Sequence, residues 1–191
     1  MIRRAGPGDV EALARTLARA FEDDPVMSWL FPSARLRRNE AFFRLRVRAL
    51  LEQEEVWTTD DHAGAAMWTL PDRWRTTVRE FVAWFPPMIP ALGIRMPLAL
   101  YGLSKVEQLH PPEPHMYLAV LGTDPDRRGE GLGGELMAPV LEECDQDGVP
   151  AYLESSKERN VDYYSRFGFK VTGELDLPRG PRVWPMWRDP R

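Results

Sequence analysis

Apolar residues recur at Val10, Leu13, Leu17 and Phe21, the three-to-four spacing of one helical face, which predicts a helix from about Asp9 to Phe21. Asp9 is its expected N-cap, behind a short strand at Ile2 to Arg4 and the breaker stretch Gly6-Pro7-Gly8. Val26 to Phe31 reads as an apolar turn. Pro32-Ser33 opens a second helix to about Glu54 through Phe42, Phe43, Leu45, Val47, Leu50 and Leu51. The period then changes. "VWTT" from Val56 and "GAAMWTL" from Gly64 are strand-like, and the turn residues between them make a hairpin. Residues 72–110 read as helical and interrupted, with prolines at 86, 87, 90 and 97. "PHMYLAVLGTDP" is an apolar strand, "GLGGELMAPVLEECDQDG" a helix ending at Gly148, and "VPAYLESS" a strand. This βαβ unit predicts two parallel strands with a right-handed crossover. A short helix "NVDYYSRF" and strands "GFKVTGEL" and "RVWPMWR" follow, giving an α/β class.

A chain of 191 residues has the size of one domain, so residues 1–191 are expected to fold as a single unit. The most apolar stretch, Phe81 to Leu103, is broken by four prolines and Arg95, which argues against a membrane span. A net charge of −4 offers nucleic acid no general attraction, so any phosphate site must be local. Cys144 is the single cysteine, which excludes an intrachain disulfide and a cysteine-based zinc site. The start "MIRRAGPGDVEALA" lacks the apolar core of a secretory signal, and the expectation is a cytoplasmic protein without a metal.

The local candidate is "DPDRRGEGLGGELM", residues 124–137, between strand and helix. Backbone N–H groups converge at such a loop, and the helix N-terminus carries about half a positive charge, so an anion is favoured there. Gly129, Gly131 and Gly134 match G-x-G-x-x-G, and Glu154 stands where a dinucleotide fold keeps its ribose acid. Against that reading, "DPDRR" separates strand from glycine where the dinucleotide turn is tight, and too little chain follows Glu154 for further βα units. Glycines that merely cap a turn leave Arg127 and Arg128 without a reason beside the free amides. Phosphate supplies one.

Arg128, Gly131 and Gly133 also fit Gln/Arg-x-x-Gly-x-Gly/Ala behind a strand, an aspartate and Pro125. "RN" and "YYSRFGF" follow the next strand. In that order the two halves resemble the acetyl-CoA site of the GNAT N-acetyltransferase superfamily. "VWTTDDHAGAAMWTLPD", "LGTDPDRRGEGLGGEL" and "VPAYLESSKERNVDYYSRFGFKVTGELDLPRGPRVWPMWR" are similar to the branch that includes puromycin N-acetyltransferase. The resemblance implies one GNAT-type domain with a mixed sheet of about six to seven strands flanked by helices. It also implies a splayed parallel pair at the acetyl-CoA site, a binding core over 115–170, and a helical acceptor-side cover at about 9–54 and 72–110. The activity implied is transfer of acetyl from acetyl-CoA to a primary amine of a small molecule, of the antibiotic or secondary-metabolite kind, by a monomer or homodimer. A CoA-binding module without turnover and a protein-lysine acetyltransferase are the alternatives.

By the same resemblance the pyrophosphate lies on the amides of Arg128, Gly129, Glu130, Gly131, Leu132, Gly133 and Gly134, with Arg127 beside them. The pantetheine pairs with the strand at Leu121, Gly122 and Thr123. Gly122 fits a bulge or close backbone approach, and equally a strand end. Tyr164, four residues before Gly168-Phe169, is the expected acid for the departing thiolate. Tyr163, about 100° round the helix, is expected to face elsewhere. Asn160 either bonds the pantetheine or caps the helix. Many amines are protonated at neutral pH, so a base is needed, and Glu154, His115 and Glu113 are the candidates. Trp29 and Phe31 are the expected acceptor contacts.

Overall fold

The computed structural model describes residues 1–32, 35–52, 55–74 and 92–191. Strand β1 (Ile2–Arg4) leads through a 3-10 turn at Pro7–Asp9 into α1 (Val10–Ala20), which buries Val10, Leu13, Ala14, Leu17 and Ala18 along one stripe. Asp9 spends its carboxylate elsewhere than on the expected cap. It turns back to the Gly6 amide, 2.8 Å, and to Arg3 and His62, each at 2.7 Å. The apolar turn at Val26 to Phe31 is a helix, α2 (Pro25–Leu30), because Asp24 caps it by accepting from the Met27 amide, 2.9 Å, and Pro25 opens its first turn. Helix α3 (Arg35–Leu51) follows, then the expected hairpin β2 (Val56–Thr59) and β3 (Gly64–Thr69). Of the helical stretch read over 72–110, α4 (Met96–Leu109) is present; residues 75–91, with Trp84, Phe85 and prolines 86, 87 and 90, lie outside the described residues.

The second half runs β4 (Met116–Thr123), α5 (Leu132–Asp147), β5 (Ala151–Ser155) and α6 (Val161–Ser165). It ends with β6 (Lys170–Val171), β7 (Leu175–Asp176) and β8 (Arg182–Arg188). The strands are ordered β1-β2-β3-β4-β5-β8-β6, with β7 also on β8, one short strand more than expected. Only β4 and β5 run parallel among the described pairs, as the βαβ pattern requires.

Side chains on the sheet divide by the strand's period of two. Ala65 and Met67 pack toward α1 and α3, whereas Ala66 and Trp68 pack toward α5. β4 breaks the alternation. Its ladder with β3 shifts register between Met67↔Val120 and Trp68↔Leu118, leaving Ala119 as an extra residue. Ala119 and Val120 therefore both face the α1 side, while Leu118 and Leu121 face the α5 side. Such a bulge bends its strand. β4 and β5 pair only at Met116↔Ala151 and Tyr117↔Tyr152 and then part.

Candidate functional site

The gap between the parting strands is the mouth of a groove of about 570 Å³. Its walls are β4 from Leu118 to Thr123, the end of β5, the loop before α5, and Asn160, Tyr163 and Tyr164. The β5-facing edge of β4 beyond Tyr117 has no strand beside it among the described residues, so an extended ligand can add there as a strand would. The bulge that produces this opening is at Ala119. Gly122 stays in register with Ala65, and its role is close approach: a Cβ there would meet Leu17 and Phe21 of the α1 segment at 2.8 Å.

The loop is held rigid by charge. Arg19 reaches Asp124 and Asp126 at 2.7 Å each, and Arg127 reaches Glu130 at 2.6 Å and Asp61 at 2.8 Å. Arg127 thereby shapes the loop with a guanidinium already paired. The Arg127 guanidinium in turn draws the Glu130 carboxyl below its ordinary range. Gly129 and Gly131 take φ of 91° and 82°, a region costly for other residues. Arg128 N–H and Gly134 N–H bond within the loop. The five amides from Gly129 to Gly133 meet no acceptor among the described residues. Five free donors at the start of a 16-residue helix form a cradle that suits a diphosphate, and open space lies where a Cβ on Gly131 would project. Arg128 is half-exposed, 3.7 Å from Asp23. Asp23 also pairs with Lys157 at 2.6 Å and Arg159 at 2.8 Å; these cations, Lys157 foremost, hold its carboxyl down to about 2.

Asn160 is the N-cap of α6 yet its side chain makes no cap bond, leaving the amide for the groove it lines. Tyr164 is buried against Phe169 and Tyr163, and burial raises its phenol well above 10, so the proton is retained as a hydrogen-bond donor. Tyr163 faces the groove as well, contrary to the single-tyrosine expectation, because its hydroxyl lies where a Cβ on Gly133 would stand.

Across the sheet the other expected residues separate. Glu154 follows Tyr152 by two residues and shares its face, opposite Leu153, and it lines the groove. His115 is buried. Its Nδ1 donates to the Glu113 carbonyl at 2.6 Å, and burial lowers the pKa of the ring. The Glu113 side chain is exposed and takes no part in this cluster. Trp29 donates its indole N–H to the Pro178 carbonyl, 3.1 Å, and Phe31 packs on Phe42; both are core residues, without an exposed face for an acceptor.

Three residues unmarked by sequence reasoning stand beside Glu154. His110, the C-cap of α4, places Nδ1 3.4 Å from Glu154 Oε1, and its ring stacks on Trp74 at 3.7 Å. Tyr117 and Tyr152 meet the same ring edge-on at 4.6 and 4.7 Å. Burial first, and then the Glu154 carboxylate, raise both phenols, so they stay neutral. A histidine at a helix end 44 positions before its carboxylate carries no local signal; only the tertiary fold joins them.

No helix among the described residues is long and apolar enough to cross a membrane, and none of them form a cluster of three or more metal-type ligands. Residues 101–189 match the family described as "Acetyltransferase (GNAT) domain". An N-acetyltransferase of Schizosaccharomyces pombe is 27% identical over 96% of this chain and 80% of its own length. Among solved structures, a protein of Corynebacterium glutamicum described as "histone acetyltransferase HPA2 and related acetyltransferase" superposes with a TM-score of 0.73 at 22% identity. That likeness covers 100% of this chain and 96% of the other. A Drosophila melanogaster polyamine N-acetyltransferase, described as forming N-acetylagmatine, gives 0.69 at 16% identity over 99% of each chain. At these identities the structural likeness is one of fold.

Proposed function

We propose that this chain, an acetyltransferase with a single GNAT domain, moves an acetyl group from acetyl-CoA to a primary amine of a small molecule. The observation that carries the reading is the continuous groove joining the free amides of Gly129 to Gly133 to the opening between β4 and β5. The loop amides and Arg128 hold the pyrophosphate, and the free edge at Leu121 to Thr123 takes the pantetheine, drawing the thioester to where the strands part. A β4 amide there polarises the carbonyl. Glu154 accepts a proton from the ammonium, the freed amine attacks, the new C–N bond forms and the C–S bond breaks. The Tyr164 phenol gives its proton to the leaving thiolate, and the second proton that the attacking nitrogen sheds as it becomes an amide restores the phenol. Acid and base reach the opening from opposite faces of the sheet, Tyr164 from the α5 and α6 side and Glu154 from the other.

The polyamine enzyme's small amine product and the resemblance to the puromycin-acetylating branch both support a small acceptor. The test is thiol release from acetyl-CoA across a panel of primary amines. We expect turnover that requires an amine; tight CoA binding with no turnover on any amine overturns the assignment in favour of a binding module.

A further inference from the structure

Eight buried side-chain polar atoms have no hydrogen-bond partner among the described residues, and four of them sit in one cluster: His110 Nε2, His115 Nε2, Tyr152 Oη and Glu154 Oε1. Buried polar groups are ordinarily paired, and a concentration of unpaired ones marks a place built for something other than packing. Glu154 alone of the four lines the groove, and His110 stands behind it with Nδ1 at 3.4 Å. The His110 ring is clamped on every side. Trp74 stacks on one face, Tyr117 and Tyr152 meet it edge-on, and His115 is 5.1 Å away. Among the described residues, the Asp72 carboxylate acts electrostatically on His115 and the Arg46 guanidinium of α3 on Tyr117.

We propose that His110 is the positioning residue and proton relay of the acceptor side: packed behind Glu154, it confines the carboxylate toward the opening between β4 and β5, and its unprotonated Nδ1 takes up the proton that Glu154 removes from the ammonium. The inference rests on the transfer reaction proposed above. A Glu154 oxygen takes one proton from the ammonium and passes it to His110 Nδ1. The amine is left neutral, Glu154 is again a carboxylate, and His110 is an imidazolium beside it. The arrangement answers a specific difficulty, because a carboxylate alone is a weak base toward an alkylammonium, and an imidazole beside it gives the proton a second and stronger acceptor. A ring locked by three aromatic neighbours and lying against a carboxylate has the fixed orientation such a relay needs.

Two measurements on the full chain test the relay. With the best acceptor of the amine panel, the pH profile of kcat is compared for the wild type and His110→Gln. We expect kcat at pH 7 to fall about 100-fold with KM within about twofold, and the acidic limb near the histidine range to disappear in the variant. An equal loss at every pH, or an unchanged profile, overturns the relay. Independently of turnover, histidine resonances are titrated by NMR in wild type and Glu154→Gln, with the His110 signal identified by its absence in His110→Gln. Removing a carboxylate that lies 3.4 Å from the ring should move the His110 resonances; resonances that stay in place also overturn the proposal. If no amine reacts, the transfer reading has failed, and the NMR titration still decides whether His110 and Glu154 are coupled.

Discussion

Tyr164 keeps its proton because the phenol is buried, and that burial makes its hydroxyl a donor at any physiological pH. Removing the hydroxyl without changing the ring should therefore remove proton delivery and little else. Tyr164→Phe is expected to lower kcat about 100-fold while leaving CoA affinity, measured by calorimetry, within about threefold. His115 makes a prediction about stability. Its folded pKa lies below the unfolded value near 6.5, so the unfolded chain binds the proton more readily. Its contribution is complete above about pH 6.5 and declines as the pH falls below it. The urea midpoint should drop between about pH 7 and pH 5, and His115→Gln should flatten that part of the curve. At this scale the sequence placed residues where a motif surrounds them: Tyr164 and Arg128 both line the groove. At Trp29 and Phe31, marked by analogy with the family's substrate cover, both side chains lie in the core, because an aromatic side chain after a helix packs inward when a core is there to receive it.

The glycine loop and strand β4 do their work as elements. Gly131→Val puts a branched side chain at φ 82° and into the space in front of the free amides. It should cost about 1–3 kcal/mol in stability from backbone strain and weaken CoA binding by at least about tenfold, read by urea melts and calorimetry. Gly122→Val acts differently, because its added carbons meet Leu17, Phe21 and Ala20 and push α1 away from β4. The expected loss is about 1–3 kcal/mol with a fall in the thermal midpoint. The hairpin, the βαβ unit and the loop were legible because their periods and turn residues are local. Helix α2 was passed over as a turn because six residues barely exceed one helical turn and a half. The bulge at Ala119 had no sequence mark at all. "LAVLGT" reads as an unbroken strand, and the register shift exists only against β3.

The whole molecule is a sheet with a core on each face, opened along one seam. Helices α1 to α4 cover the face that holds His110 and Glu154, and α5 with α6 cover the face that holds Tyr164. Tyr164 and Glu154 both line the groove at the seam between β4 and β5. The resemblance to the GNAT superfamily was legible because both halves of its motif lie in the contiguous stretch from β4 to α6. The cluster around Glu154 was not, since it assembles His110, Tyr117, Tyr152 and Glu154 from separate segments. The central claim is the transfer itself, and isotope-labelled acetyl-CoA follows it directly. Incubated with the chain and the primary-amine panel, the label is predicted to appear by mass spectrometry on an amine nitrogen, with one free thiol per acetyl moved. Label that stays on coenzyme A with every amine, or that reaches only lysine side chains of added protein, would contradict the account.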